Sequence, residues 1–205
     1  DFTRAEMIKN FSLSRVNKSP ASFDPQKLTA FQSRYMWRLP VQDRLDMVMP
    51  YLEKSGLIAE SATLDTKTRI EAVLVAANER ISLAGDILDY AEFFQEDDQI
   101  EYEEKAFRKR VVNASTQREL LKNFRNVLAE ASDFTADGVE QLMRSYLEEQ
   151  ELGMGMLVHV LRVSLTGKAV GFGLFDILAI LGKQSCLNRI DRAITIAENQ
   201  SQEQP

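Results

Sequence analysis

Cysteine and histidine are nearly missing from this chain of 205 residues, which has one of each, Cys186 and His159. A single cysteine excludes an internal disulfide, and a Cys/His zinc site needs more ligands than the chain owns. Both residues are expected to fill helix faces. Long apolar runs are missing too: no window approaches the roughly 18 uninterrupted apolar residues of a membrane span. The N-terminus has no basic stretch followed by an apolar one, so no signal segment is read there. A cytoplasmic protein without a membrane partner is expected. Glycine is sparse, at 9 residues, and none forms a glycine-rich turn between strand and helix of the kind that cradles a nucleotide phosphate. Sustained period-two alternation is absent, which argues against strands and so against the sheet edge where an α/β fold holds a cofactor. Carboxylate pairs such as Glu103-Glu104 and Glu148-Glu149 are sequence neighbours, and adjacent residues on a helix point in different directions. His159 has no activated serine or cysteine near it in a recognisable arrangement. The chain by itself therefore reads as non-catalytic, with no catalytic residue, no metal site and no bound cofactor.

What is present is enough apolar material, 44 % of residues, to bury one sizeable core or two small ones. The net charge of -6 speaks against nucleic acid only if its distribution is ignored. Residues 1–50 carry eight Lys/Arg against five Asp/Glu, residues 51–150 carry 12 against 21, and residues 151–205 carry five of each. Relatively basic ends flank an acidic middle, which suits a molecule that touches a polyanion with its ends; solvated helix faces produce the same pattern. The first residue is Asp1, and the chain reads as a piece of something longer.

Along the chain, residues 1–23 lack long periodicity and suggest a short connecting fold. Asp24-Pro25 is a strong helix start, since Asp24 can cap free amides and Pro25 suits the first helical position. Leu28, Phe31, Tyr35 and Leu39 recur at helical spacing, and Pro40 ends that helix. Leu45, Val48 and Met49 share the next helical face, with Pro50 expected to break or kink it before Ser55-Gly56. Further helices are predicted over 67–80, 82–94 and 115–130, and another after the Thr135 cap, with Phe134 stapled to Val139. The acidic run 95–98 reads as a loop, and Lys105, Arg108, Lys109 and Arg110 read as a solvated face. Then Leu157, Val158, Leu161 and Leu165 form a buried face ended by Gly167, followed by 174–181, ended by Gly182, and 185–197. The polar tail is expected to be disordered. The fold class is all-α, with a little irregular structure near residue 15.

Three separated segments resemble one known family. The most specific is Phe11-Ser12-Leu13-Ser14-Arg15-Val16-Asn17-Lys18-Ser19-Pro20-Ala21 followed by Phe23-Asp24-Pro25-Gln26-Lys27-Leu28. A weaker one is Ala77-Asn78-Glu79-Arg80-Ile81-Ser82-Leu83, with Phe93-Phe94 and Glu104-Lys105-Ala106 after it. The third is Leu161-Arg162-Val163-Ser164-Leu165-Thr166-Gly167-Lys168 with Gly173-Leu174-Phe175, extending through Cys186, Leu187, Arg189, Ile190 and Ile194. In this order they resemble the C-terminal, tRNA-binding region of bacterial-type glutamyl-tRNA synthetases, and they cover nearly the whole chain.

The resemblance implies a helical bundle of two packed subdomains behind a short stem-contact-like segment. The divisions are 1–39 for the connecting segment, 40–132 and 133–198 for two anticodon-binding subdomains, and 199–205 for a disordered tail. It implies a tRNA(Glu) partner, no DNA role, and a monomer. The HIGH-like and KMSK-like signatures of the family's catalytic domain have no match here, so ATP and Mg would belong to a parent enzyme's catalytic domain outside this chain. Arg80 matches the family arginine that contacts the third anticodon base, and Arg162 the one that contacts the middle base. Leu174 and the backbone of Gly171 to Gly173 match the loop that packs on the first base. Phe172 stands where the family has proline, and an aromatic there could stack on a base instead. Arg15, Lys18, Arg34 and Arg38 are candidates for phosphate contacts. The competing reading is a helical interaction module whose acidic centre binds a protein partner and has no RNA role.

Overall fold

The computed structural model describes residues 2–16, 19–20 and 22–202, and among them every regular element is helical. Lys18, one of the expected phosphate contacts, lies outside the described residues. Helix α1, Arg4–Asn10, starts at a reciprocal cap: Thr3 N donates to Glu6 Oε2 at 2.7 Å and Glu6 N donates to Thr3 Oγ1 at 3.2 Å. It buries no residue, and Phe2, Ile8, Phe11 and Leu13 stay exposed around it and the following 3-10 turn, Leu13–Arg15. Helix α2, Pro25–Arg38, starts as the sequence predicts, with Asp24 Oδ1 accepting from the amides of Gln26 and Lys27 at 3.0 and 3.2 Å. Its expected apolar stripe is not its core face. Leu28 and Tyr35 are exposed, and Met36 and Ser33 are the buried positions.

Helix α3, Val41–Lys54, passes through Pro50 without a break, against expectation. Proline forfeits one amide bond and crowds the preceding turn. Leu45, Val48 and Leu52, all buried on one side, hold the helix together across that point. Gly56 ends it with a positive φ of 75°. Helix α4, Leu64–Ala77, buries Ile70, Val73, Leu74 and Ala77. The chain then turns at Asn78 (φ 46°) into a 3-10 turn, Asn78–Arg80, and a 3-10 stretch, Ala84–Phe93, stands where an α-helix is predicted. Its start is held by Asp86 Oδ2, which accepts from Ser82 N at 2.9 Å and Leu83 N at 2.8 Å, and its winding is interrupted at Tyr90.

Helix α5, Glu104–Phe107, runs into a π turn, Arg108–Val112, whose last carbonyls accept from Arg118 Nη1 at 2.8 and 2.6 Å. Helices α6 (Ser115–Glu130), α7 (Ala136–Glu149), α8 (Gly155–Thr166) and α9 (Leu174–Gln202) complete the chain. Thr135 caps α7 through Gly138 N at 3.1 Å, and Gly182 (φ 76°, ψ 163°) divides α9 where the sequence places a stop. Residues 199–202, expected to be disordered, continue α9 as helix.

Helices α8 and α9 pack on each other, α6 lies across both, and α7 covers α9, while α3 packs on α4 and on 84–93. A single buried cluster runs through all of them from Met36 to Ala197. The sequence assigns α6 to the first subdomain, ending at 132, yet α6 sits with the later helices. Arg125 reaches Asp191 of α9 through two bonds, at 2.8 and 2.7 Å, and Lys183 Nζ donates to the end of α6 at Ala129 O and Ala131 O, each at 2.8 Å. Among the described residues no helix is long and apolar enough to cross a membrane.

Candidate nucleic-acid interface

The site grows from the way α8 stops. Gly167 adopts the left-handed conformation, φ 74°, and donates its amide to Val163 O at 2.9 Å. A Cβ at this position would stand 2.0 Å from Glu101 O, so only glycine lets the two backbones meet. The contact becomes a bond next door, where Glu103 N donates to Gly167 O at 2.9 Å. Ala169 N in turn donates to Glu103 Oε2 at 3.3 Å. The segment 167–173 therefore leaves α8 already fastened from behind.

Two further anchors come from residues that the sequence reading does not place in the site. Lys168 Nζ forms an ion pair with Glu92 Oε2 at 2.7 Å and also donates to Asp89 O. Glu92 is buried; burial pushes its carboxyl above the ordinary value, and the hydrogen bond and charge of Lys168 pull against that. Below it lies Arg189, only 2 % exposed and the largest fully buried side chain. Its Nε donates to Asp97 Oδ1 at 2.7 Å, its Nη1 to Glu92 O at 2.9 Å and Leu165 O at 3.0 Å, and its Nη2 to Gln95 O at 3.2 Å. Partial burial would raise Asp97, but hydrogen bonds from Arg189, Ser185 and Asn188 outweigh it and hold the carboxyl below its ordinary value. The acidic loop is thus stitched to the end of α8 and to α9. Its signal in the sequence was ambiguous, because an acidic run with one arginine far downstream carries no spacing to recognise.

Phe172 and Leu174 need correcting. Phe172 is 3 % exposed and its ring stacks on Phe93 at 5.0 Å and Tyr90 at 5.6 Å, so it is core and not free to stack on a base. Leu174 is 5 % exposed at the start of α9, so its side chain too is turned inward. What the segment shows to water is the Val170 side chain, 77 % exposed, with Ala169 and the backbone of Gly171 and Gly173.

Arg162, on α8, is half-buried and spends one donor on this segment: Nη1 donates to Phe172 O at 2.7 Å. A methyl group on Gly171 would lie 3.4 Å from the same nitrogen, which places the exposed glycine beside the guanidinium. Burial first, and then the charge of Arg80, push Arg162 below the ordinary guanidinium value, and it remains a cation. Arg80 is exposed, sits on the turn after α4, and lies near Tyr90, whose hydroxyl burial pushes up while Arg80 opposes it. The turn carrying Arg80 also packs on α2. Arg80, Arg162, Gly171 and Gly173 thus come together from three separate stretches of chain on one surface. Arg34 and Arg38 are exposed on α2, and Arg34 also lies over the Phe31 ring at 4.7 Å. Arg15 is exposed on the 3-10 turn near the N-terminus, outside the buried cluster.

His159 departs from expectation in a useful way. It is exposed, not packed, and partial desolvation followed by the charges of Arg110 and Arg162 lowers its imidazole below the ordinary value. Cys186 is buried as expected, and burial pushes its thiol up to about 12. Among the described residues no group of three or more His, Cys, Asp and Glu side chains is placed to hold a metal ion.

The chain is 33 % identical over 195 residues to a glutamate–tRNA ligase of Desulforudis audaxviator and 34 % identical over 194 residues to one of Roseiflexus castenholzii. It covers 38 % of each of those proteins, while they account for 94 % and 95 % of it. Among solved structures it superposes on a glutamate-tRNA synthetase from Elizabethkingia anophelis with a TM-score of 0.76 at 26 % identity, covering 93 % of this chain and 36 % of that one. A glutamate tRNA ligase from Elizabethkingia meningosepticum gives 0.78 at 25 %, with the same coverage. Residues 43–194, from early α3 into the second half of α9, match the family described as "Anticodon binding domain". With that match spanning the helices that carry Arg80, Arg162 and the 167–173 segment, the chain belongs to the anticodon binding domain family.

Proposed function

We propose that this chain is the tRNA-reading part of a glutamate–tRNA ligase, binding the anticodon of tRNA(Glu) while the ATP- and Mg-dependent joining of glutamate is carried out by sequence outside these residues. It does so as a monomer in the cytoplasm. What carries the proposal is the meeting of Arg80 and Arg162 beside the exposed backbone of Gly171 and Gly173, on a segment fastened from behind. A guanidinium presents several donors in a rigid plane, and Arg162 commits one of them to Phe172 O. The remaining donors, with those of Arg80, suit the acceptor edges of unstacked bases. The exposed backbone of Gly171 lets a base approach closely beside the guanidinium, while at Gly173 the Asp176 carboxylate fills the space a Cβ would take. Arg15, Arg34 and Arg38 are assigned to the phosphates of the tRNA body.

The test is binding of tRNA(Glu) and of the same tRNA with a swapped anticodon. Arg162→Lys keeps a charge but loses the planar fork, and should weaken the cognate tRNA by about 5- to 150-fold, equivalent to about 1 to 3 kcal/mol of base discrimination. The swapped tRNA should lose much less. Equal losses would remove base reading, and no binding of either tRNA by the unaltered chain would favour a protein-binding module instead.

A further inference from the structure

Helix α8 is covered almost all round. Leu157, Val160, Leu161, Val163 and Leu165 are buried, and the stripe left to water runs through Gly155, His159 and Arg162. His159 and Arg162 are one turn apart on that stripe, about 4.5 Å along the axis. The π turn Arg108–Val112 packs against α8 and brings the charge of Arg110 within reach of His159, while that of Arg80 reaches Arg162. Arg80, Arg162, His159 and Arg110 are thus linked pairwise by their charges, with His159 and Arg162 on one face of α8.

No carboxylate is among the charges acting on His159 or Arg162, while Asp86, Asp89 and Glu92 lie with Arg80 around Tyr90. The charges acting on His159 are those of Arg110 from the π turn and Arg162 on its own helix, and the charge acting on Arg162 is that of Arg80. Among the described residues neither Arg80 nor Arg110 is paired with a carboxylate, although the chain holds 31 Asp and Glu against 25 Lys and Arg. Like charges gathered without counter-charge cost stability, and a polyanion laid along them removes that cost.

We propose that Arg110 and His159 carry a backbone phosphate of the bound RNA, extending the binding surface beyond the bases read at Arg80 and Arg162. This rests on the anticodon reading proposed above. It differs from the expectation that Arg110 belongs to a merely solvated basic face. A phosphate at this place favours the imidazolium form, so His159 takes up a proton as RNA binds, and affinity rises as the pH falls through the histidine range. Both arginines that face His159 stay charged throughout that range, which leaves His159 as the group that titrates.

His159 is the only histidine, so its imidazole resonances can be followed without assignment ambiguity. The 205-residue chain would be titrated with pH by NMR, alone and with tRNA(Glu), while affinity is measured across salt and pH. The titration midpoint of His159 should move upward in the complex. His159→Ala should flatten the gain in affinity on acidification, and Arg110→Gln should reduce the slope of log affinity against log salt by about 0.7. Arg110→Lys should restore that slope. His159 is exposed and Arg110 half-buried, and an unchanged thermal transition for each variant shows that folding is intact. If tRNA binds with full dependence on Arg162 while the His159 midpoint stays put and Arg110→Gln leaves the slope unchanged, this inference is overturned and the anticodon reading survives. If the unaltered chain binds no tRNA, both fall.

Discussion

Gly56 and Gly167 share a positive φ, 75° and 74°, in very different surroundings, which makes them a useful pair for measuring what fastens the 167–173 segment. A Cβ built at Gly56 meets nothing within 4 Å, whereas at Gly167 it falls 2.0 Å from Glu101 O. Alanine at either position bears the left-handed penalty of about 1 to 2 kcal/mol. Part of that, about 0.4 to 1 kcal/mol, is offset by the smaller conformational freedom of the unfolded chain. Gly56→Ala should therefore cost roughly 1 kcal/mol. At Gly167 the backbones must also move apart by an ångström or more. Such overpacking costs about 1 to 3 kcal/mol, and loss of the 2.9 Å bond from Glu103 N to Gly167 O adds about 0.5 to 1.5 kcal/mol. The expected total for Gly167→Ala is about 3 kcal/mol or more. Urea denaturation of both variants gives the comparison directly, through midpoints at equal slope. Gly167→Ala should in addition weaken tRNA binding, because the moved segment carries Gly171 and Gly173, while Gly56→Ala should not. Equal stability losses at the two glycines would show that the close approach to Glu101 contributes nothing.

Arg189→Ala should lower stability by about 3 to 5 kcal/mol, because it removes one partner of a buried network and leaves the carbonyls of Glu92, Leu165 and Gln95 with the carboxylate of Asp97 unmatched. At this chain length that is a fall in Tm of roughly 6 to 20 °C, and a change under about 2 °C would refute the network's role. Lys168→Met should leave Glu92 buried without its cation and make stability depend on pH. The folded carboxyl then binds a proton more readily than the unfolded one, so stability falls as pH rises above the ordinary glutamate range, and the variant's deficit should be smaller at acidic than at neutral pH. A deficit independent of pH in denaturant titrations would contradict that assignment.

Much of the fold was legible because it is written locally. Asp24-Pro25, Thr135 and the glycines at 167 and 182 act through backbone rules that need only their neighbours, and each marks a helix end in the structure. Even α1 carries a readable signature, Thr3 to Glu6, but with no buried face there is no periodicity to draw attention to it. The misread places are those where distant packing decides. Pro50 sits in a helix whose core face overrides its local cost, and α2 turns Leu28 and Tyr35 outward because its contact with the bundle comes through Met36. Phe172 could be read as a base-stacking aromatic only while Phe93 and Tyr90, about 80 residues earlier, were not known to lie beside it. The arginines enter the reading only through the family resemblance. The supports behind them were not legible, since Glu92, Asp97, Lys168 and Arg189 meet across separations of 76 and 92 residues and share no local pattern.

Those supports bear on what the site can discriminate. A guanidinium on a mobile loop would lose much of its selectivity to ordering on binding, since each immobilised side chain of that kind costs about 0.5 to 1.5 kcal/mol. Here the surroundings of Arg162 are already fixed by the fold. Arg162 is tied to Phe172 O, Phe172 is stacked in the core, Lys168 is paired below, and Gly167 is held against the strand of backbone at 101–103. Anchoring a polar contact to the core in this way couples stability to recognition, so damage at Arg189 should reach Arg162 without touching RNA. A conservative change there, Arg189→Lys, should therefore reduce the ratio of affinities for cognate and swapped anticodons as well as the Tm. If it lowers the Tm alone, with the ratio measured well below the transition and unchanged, the network stabilises the fold and does not position the reading arginine.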